Sequence, residues 1–235
     1  MTAPTAADAS SPGRHYLGVS AERRRQLRRQ RLVEAGVSVF GARGYHAATV
    51  REVCAVAHLT ERYFYESFEG MDRLFAAVYA EVLGDLKRRT VAAIARHAAD
   101  APLQATDAAL RLFFEYIRED PRRARIVLLD ALSINEAVLQ QCAAALQDYA
   151  GLVGHLVQHS EVATSDSHLD AGLLAAGLVG FHVHVATTWL LGGCETPLDT
   201  VVETARFAYR GLVRRPGGDL SATLHGWLSE HDRRE

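Results

Sequence analysis

The stretch TVREVCAVAHLTERYFYESF, residues 49–68, decides the fold of this 235-residue chain. Thr49 and Glu52 have the spacing of a capping box, in which a hydroxyl at the N-cap faces a carboxylate three residues later. The helix that they open is predicted to end near Ala57, and Thr60 is the next candidate N-cap. Because only two residues separate the two short helices, they cannot lie antiparallel, and a helix-turn-helix is predicted.

The second helix of this pair, predicted over residues 60–67, has one apolar and one polar face. Phe64 and a phenylalanine four residues later, with Leu59 behind them, define the apolar face. Arg62 and Glu66 fall on the opposite side, and the two tyrosines Tyr63 and Tyr65 lie on its flanks. Such a helix suits the DNA major groove, where Arg62 would bond guanine and the phenols would reach phosphates. The alternative is two half-buried tyrosines beside a solvated arginine.

Outside this stretch the chain reads as all-α. An apolar helical pattern begins at Glu22 and ends at Gly44. Together with the two short helices it makes a predicted three-helix unit, residues 21–70, which we call the head. Breaks at proline and glycine divide the rest into predicted helices at 71–97, 103–118, 121–132, 135–159, 168–192, 197–214 and 219–231. The predicted units are a flexible arm at 1–20, a helix-turn-helix domain at 21–70 and a larger helical domain at 71–235.

Charge distinguishes the head from the remainder. Residues 21–65 carry nine arginines and four acids, a local charge of +5, although the chain as a whole has a net charge of −2. A basic block of this kind indicates a polyanionic partner. The sequence contains no phosphate-binding loop, nucleophile elbow or pair of catalytic carboxylates, which argues against an enzyme. An odd number of cysteines and an unremarkable N-terminus favour a reduced cytoplasmic protein.

One segment without formal charge, residues 171–194, is long enough to cross a bilayer. It includes histidines, threonines and glycines and has no basic flank. A buried helix at a subunit interface explains it better than a membrane span. We therefore expect helices 168–192 and 197–214 to form a four-helix interface in a two-fold dimer.

The run from Leu32 to Val82 resembles the DNA-binding domain of the tetracycline-repressor (TetR) family. The features that match are a first helix ending before Gly44-Tyr45, the Thr-Val-Arg-Glu-Val opening, the turn and the Phe-Tyr-x-x-Phe closing. The resemblance implies a homodimeric, ligand-responsive transcriptional regulator, usually a repressor. Two-fold symmetry then implies a palindromic operator in double-stranded DNA. The main alternative is a helical ligand-binding or interaction protein with a vestigial helix-turn-helix.

The resemblance also implies a set of DNA-contacting residues. Thr49 caps its helix and touches phosphate, the start of the recognition helix faces the groove, and Tyr65 grips the backbone. The complete set is Tyr45, Thr49, Arg51, Thr60, Glu61, Arg62, Tyr63 and Tyr65. Two residues depart from the family pattern: His58 stands where glycine is usual, and Met71 replaces a common lysine. Non-specific attraction by Arg23, Arg24, Arg25, Arg28, Arg29 and Arg31 is expected to compensate.

For the larger domain, a small and largely apolar effector is expected among the helices of residues 103–192. Aromatic and polar groups on long helices supply the materials of such a pocket. The candidates are Phe113, Tyr116, Tyr149, Phe181, His182 and Trp189, with Phe114 of the same character. Histidines at 155 and 159 have metal-ligand spacing, but the favoured interpretation has no metal and no cofactor. Cys54 is expected to be a small core residue rather than a redox sensor.

Overall fold

A computed structural model describes residues 20–96, 102–131, 134–158 and 170–213. Within these ranges the chain forms nine α-helices and one π-helical segment, and contains no β-strand. The helices are α1 (Ala21–Arg43), α2 (Val50–Ala57), α3 (Glu61–Tyr65), α4 (Met71–Ala95), α5 (Pro102–Glu119), α6 (Pro121–Arg125), α7 (Glu136–Gln158), α8 (Ala171–Leu191) and α9 (Leu198–Val213). The π-helix, Ile126–Asp130, continues α6. The predicted all-α fold is confirmed.

The capping box at the start of α2 forms as predicted. The Thr49 hydroxyl accepts a hydrogen bond from the Glu52 N–H at 3.3 Å, and the Glu52 carboxylate accepts one from the Thr49 N–H at 3.0 Å. At the other end His58 takes the left-handed conformation, with φ of 53°. Histidine tolerates this region better than most residues, so it replaces the usual glycine without breaking the turn.

Helix α3 is shorter than the sequence predicts, since it ends at Tyr65 rather than near Ser67. Thr60 occupies the predicted N-cap position, and its carbonyl accepts from the N–H of Tyr63 at 3.0 Å. Beyond α3 the chain turns through Gly70, and α4 begins at Met71 as predicted. Five residues, 66–70, therefore separate the end of α3 from the start of α4.

A single hydrophobic core joins the head to the larger domain. Leu32 and Phe40 from α1 and Phe64 from α3 are completely buried against Leu74 and Phe75 of α4. Helix α4 also packs against α5 and α7, and α1 packs against α6. Because α1 and α4 contact both regions, the predicted boundary between residues 70 and 71 stays a prediction.

The predicted helices of the larger domain match within three residues where the structure describes them, apart from 121–132. There, α6 ends at Arg125 and five residues follow in π-helical geometry. A π-helical turn changes the hydrogen-bond register without changing the residue types that form it, so periodicity gives no signal for it. The predicted arm at 1–20, except Ser20, and the helix at 219–231 lie outside the described residues.

Helix α8 is the most apolar of the long α-helices in the described chain. By length and composition, Gly172–Leu191 could cross a membrane, and it is the one such helix among the described residues. Only 33% of its most apolar window is buried within the protomer. Its outer face has no acidic, lysine or arginine side chain, and is made of small and apolar residues with His184 and Thr188.

Candidate nucleic-acid interface

Helix α3 divides its side chains between core and solvent as the sequence predicts. Phe64 is fully buried, and Phe68 in the following turn is buried beside it, with ring centroids 6.1 Å apart. On the other face the side chain of Arg62 is 84% exposed, and Tyr65 is 60% exposed. Thr60 and Glu61 are also exposed. Helix α3 therefore presents four polar side chains on a rigid, well-packed support.

The two tyrosines that flank this face have different environments. Tyr65 contacts Phe64 edge-on, with ring centroids 5.2 Å apart, and otherwise faces solvent. Tyr63 is half-buried, and the guanidinium of Arg28 lies 4.5 Å from its ring centroid. A cation over an aromatic face is an attractive contact that also fixes the ring. Tyr65 is consequently open to a ligand, whereas Tyr63 is partly committed to packing on α1.

The arginine run on α1 has a role that the charge pattern did not reveal. Arg25 donates to the carbonyl of Glu66 at 3.2 Å, Arg28 covers Tyr63, and Arg29 lies 4.8 Å from the ring centroid of Phe68. These three arginines hold α3 and its following turn against α1. Five of the six arginines are nevertheless exposed, and Arg28 is half-buried. The non-specific attraction expected of all six stays a prediction.

Residues from the helix preceding the turn complete the predicted surface. Thr49 is exposed at the N-cap of α2, although its hydroxyl already serves the capping box, and Arg51 is exposed in the first turn. The positive end of the α2 dipole also lies here, and it favours a phosphate. At the start of α4, Gly70 is the N-cap and has no side chain to occupy the first N–H groups.

Tyr45 differs from the rest of the predicted DNA-contacting set. It is half-buried, and its ring packs against Phe40 and Phe75 with centroids 5.9 and 5.5 Å away. Its backbone N–H donates to the carboxylate of Asp130 at 3.1 Å. Burial raises the pKa of Asp130, while nearby Arg125 and this N–H oppose the rise. Tyr45 thus lies at the joint between α1 and the π-helix.

Cys54 is buried within the head. Burial raises the pKa of its thiol, and the neighbouring carboxylate of Glu61 raises it further. A reactive cysteine requires the opposite environment, one that stabilises the thiolate. The predicted core role of Cys54 fits this arrangement.

Four of the aromatic residues predicted for effector binding come together with Phe114. Phe113, Phe181 and Phe114 surround the imidazole of His182, with ring centroids 6.1, 5.6 and 6.3 Å away, and Trp189 contacts Phe114 at 6.2 Å. We call these five residues the aromatic cluster. It joins α5 to α8, and burial lowers the pKa of His182 to about 4.

The remaining two candidates lie against α4. The Tyr116 hydroxyl donates to the Val82 carbonyl at 3.0 Å, and its ring lies between the guanidinium groups of Arg89 and Arg123. The Tyr149 hydroxyl is 3.5 Å from the hydroxyl of Thr90. Both tyrosines are buried and already hydrogen-bonded. Their contacts are those of packing residues that join α4 to its neighbours.

A cleft of about 550 Å³ lies elsewhere, between α1, α4 and α7. Its lining includes Arg29, Phe68, Arg73, Ala77 and Gln141, and contains none of the predicted effector residues. Within the described residues no group of three potential metal ligands occurs. The predicted pair at 155 and 159 lies outside the described side chains, whereas His182 is buried and His184 exposed on opposite sides of α8.

Known proteins resemble this chain both in the head and over most of its length. The family model for bacterial regulatory proteins of the tetR family matches residues 32–78. The HTH-type transcriptional activator FasR of Mycolicibacterium smegmatis is 30% identical over 196 residues, which are 82% of this chain and 86% of that protein. The chain belongs to the TetR family.

Solved structures extend the likeness over most of the chain. The fatty acid degradation regulator FadR of Bacillus halodurans superposes with a TM-score of 0.69, at 18% identity, over 82% of this chain and 97% of that one. FadR of Bacillus subtilis in complex with stearoyl-CoA gives a TM-score of 0.66, at 18% identity, over 75% and 96%. The fold of this TetR-family transcriptional regulator is thus shared over 75–82% of the chain. These relatives are named as regulators rather than as enzymes.

Proposed function

We propose that this TetR-family regulator binds a palindromic operator as a homodimer, through α3, and is released from it by a fatty acyl ligand. A regulator that leaves its operator when the ligand binds acts as a repressor. The observation that carries the proposal is the amphipathic division of α3, with buried Phe64 and Phe68 supporting exposed Arg62 and Tyr65. Because its operator and acyl thioesters are both intracellular, the regulator works in the cytoplasm.

Each exposed group on the head has a distinct task in this proposal. Arg62 bonds a guanine edge in the major groove, where an arginine fork matches the O6 and N7 acceptors. Tyr65 donates to a phosphate, and Thr49 and Arg51 meet the backbone beside the N-terminus of α2. Thr60, Glu61 and Tyr63 face the groove with Arg62. Tyr45 is assigned to the joint rather than to base reading, because its ring is packed between two phenylalanines.

The homodimer is supported by the outer faces of α8 and α9. Six of the eight exposed residues in 172–191 of α8 recur at three- and four-residue intervals and form one stripe: Leu173, Gly177, Gly180, His184, Thr188 and Leu191. The other two, Gly172 and Ala176, lie beside it. Leu173 is 75% exposed, and Phe207 on α9 is 77% exposed. Large apolar side chains at such exposure favour burial against a second copy. Gly177 and Gly180 have open space beyond their Cα atoms, which allows close helix approach.

The interface is tested by charge on this stripe. Leu173→Glu combined with Phe207→Glu should convert the dimer to a monomer in sedimentation and abolish operator binding at concentrations where the wild type is saturated. The matched control is Leu139→Glu on α7, which changes an exposed leucine outside the stripe and should leave the dimer intact. A wild-type protein that sediments as a monomer at micromolar concentration would refute the interface.

Two kinds of observation support a fatty acyl ligand. One structural neighbour is in complex with stearoyl-CoA, and another is named a fatty acid degradation regulator. In this chain, the aromatic cluster and the uncharged helix α8 provide the apolar surroundings that a long acyl chain requires. We assign the acyl chain to the cluster side of α8, with Phe113, Phe181, His182 and Trp189 as contacting residues.

Ligand and DNA are coupled through helices that contact both regions. Helix α4 shares the hydrophobic core of the head through Leu74 and packs against α5 and α7 of the larger domain, while Asp130 of the π-helix holds the end of α1 at Tyr45. An acyl chain that shifts α4 or the π-helix moves both heads of the dimer. Since two heads must enter grooves at a fixed spacing, a shift of a few ångströms prevents simultaneous binding.

Fluorescence anisotropy with a duplex from upstream of the protein's own coding region tests this proposal. Stearoyl-CoA should weaken binding by roughly 5- to 150-fold, and the operator should weaken stearoyl-CoA binding by the same factor. Coenzyme A without the acyl chain is the matched control and should have little effect. Equal dissociation constants with and without the acyl ligand would refute the switch. A protein without any preference for specific DNA would support the vestigial helix-turn-helix instead.

A further inference from the structure

Glu66 lies between the recognition helix and α1 and contacts an arginine on each side. Its Oε1 atom accepts a hydrogen bond from Nε of Arg62 at 3.0 Å. Its Oε2 atom is 3.8 Å from Nη2 of Arg28, whose guanidinium covers Tyr63. A third arginine, Arg25, donates to the Glu66 carbonyl. The carboxylate therefore links the exposed Arg62 to the packed surface of α1.

This contact uses a particular donor of Arg62. A guanidinium has five N–H donors in a rigid fork, and Glu66 occupies the one on Nε. The two terminal nitrogens of Arg62 stay available, on a side chain that is 84% exposed. An exposed arginine without such a restraint samples many rotamers, and ordering it on binding costs affinity. With Nε held, the terminal nitrogens are presented together toward whatever enters the groove.

We propose that Glu66 is a specificity-determining positioning residue, which holds Arg62 by Nε so that its two Nη groups meet the O6 and N7 atoms of one guanine. The inference rests on the proposed DNA-binding function and on the role assigned there to Arg62. Arg28 anchors the carboxylate from α1, so the packing of α1 against α3 sets the position from which Glu66 holds Arg62.

The negative charge of Glu66 should affect non-specific affinity and base preference in opposite directions. A carboxylate beside the DNA-binding face repels the phosphates of every duplex, whatever its sequence. Removing it should therefore strengthen non-specific binding while it weakens the preference for the correct base. A side chain that only stabilised α3 would weaken binding to all duplexes on removal. The hydrogen bonds that end α3 at this residue are made by its backbone and survive truncation of the side chain.

The experiment compares full-length Glu66→Ala, Glu66→Gln and Arg62→Ala by fluorescence anisotropy. The probes are the operator, a panel with each half-site base pair replaced, and an unrelated duplex of the same length. Glu66→Ala should bind the unrelated duplex at least twofold more tightly and lose at least threefold discrimination at the position that Arg62 reads. Glu66→Gln keeps an acceptor for Nε and should retain that discrimination. In the Arg62→Ala background, Glu66→Ala should change discrimination no further.

Glu69→Ala is the matched control, because Glu69 is acidic, nearby and paired with Arg73 at 3.8 Å rather than with Arg62. It should raise non-specific affinity and leave base preference unchanged. Unchanged discrimination in Glu66→Ala, or an equal loss on all duplexes, would overturn the positioning role. If Arg62→Ala itself leaves base preference intact, the role of Arg62 is wrong, and the inference falls with it. If the wild type prefers no sequence, the proposed function fails.

Discussion

Two groups of candidate residues differ in their exposure to solvent. One is the exposed face of α3, made of Thr60, Glu61, Arg62 and Tyr65, which we call the reading surface, and the other is the aromatic cluster of the larger domain. On α3 the functional candidates Arg62 and Tyr65 project into solvent from a buried support. In the aromatic cluster the candidates are themselves buried except for half-buried Phe181, with Phe113 and His182 packed around Phe114. A large, rigid partner such as DNA is met by side chains that are already displayed. A small ligand that enters the cluster must separate groups that now contact one another, which suits a site coupled to a conformational change.

The largest expected effect is on stability, at the centre of the cluster. Phe114 is fully buried and contacts three aromatic neighbours, so Phe114→Ala should reduce the free energy of unfolding by about 3–5 kcal/mol in urea denaturation. Arg62→Ala on the exposed surface should change it by no more than about 0.5 kcal/mol. Similar losses for the two variants would remove the contrast between the regions.

The pH dependence of stability tests the burial of His182. Its pKa is about 4 in the folded protein against 6.5 ordinarily, because burial disfavours the charged imidazolium. Between pH 6.5 and 4 the unfolded chain binds the proton more strongly than the folded chain does. Stability should therefore fall as the pH falls, by up to about 1.4 kcal/mol per pH unit from this residue.

His182→Phe should remove this contribution, which is measured as the difference in slope between variant and wild type in urea unfolding at several pH values. His46→Asn is the control, because His46 is an exposed histidine of the head. This variant should show the same pH dependence of stability between pH 6.5 and 4 as the wild type. An unchanged slope in His182→Phe would show that the imidazole is solvated in the folded protein.

The sequence predicted the head more completely than the larger domain, for a physical reason. The capping box and the His58 turn are made by residues within a few positions of one another, so their spacing is visible in the chain. The Asp130–Tyr45 contact joins residues 85 positions apart and leaves no such pattern. The sequence placed Arg62 and Glu66 on the same face of α3 but predicted no ion pair between them, and the attachment of Arg28 to Glu66 depends on the packing of α1 against α3.

In the larger domain, composition identified aromatic residues but not their environments. The sequence could not distinguish Tyr116, whose hydroxyl bonds a backbone carbonyl, from the residues that surround His182. The pattern of proline and glycine breaks predicted the long helices to within three residues. It missed the π-helix, whose one-residue change of register carries no residue signature.

The contact between α1 of the head and α6 of the larger domain is tested by glycine substitution. A Cβ atom at Gly41 of α1 would lie 2.2 Å from the Cβ atom and 2.7 Å from the Cα atom of Arg122, so Gly41→Ala must separate α1 from α6. We expect a loss of about 1–3 kcal/mol in urea unfolding. Gly84→Ala on α4 is the control. Its nearest neighbour is a flexible arginine tip at 3.5 Å, so a neutral effect or a gain of up to about 1 kcal/mol is expected. Equal changes in stability for the two variants would show that α1 and α6 are not in close contact at Gly41.

The smallest effect concerns a single hydroxyl in each region. Tyr65→Phe should weaken DNA binding by about 0.5–1.5 kcal/mol on specific and unrelated duplexes alike, because a phosphate contact carries no sequence information. Tyr116→Phe removes a buried hydroxyl instead, and should lower stability while leaving DNA affinity unchanged. A Tyr65→Phe variant that changes base preference would move this tyrosine from backbone contact to base reading.

Selection of bound sequences from a library of random duplexes, with wild type and Arg62→Ala in parallel, tests the reading surface most directly. The wild type should enrich an inverted repeat whose half-sites lie one helical turn, or a multiple of it, apart. Arg62→Ala should enrich the same repeat with the preference for guanine lost at one position of each half-site, at a cost of about 1–3 kcal/mol. Identical base preferences for both proteins, or no enriched sequence for the wild type, would contradict the assignment of α3 as the reading surface.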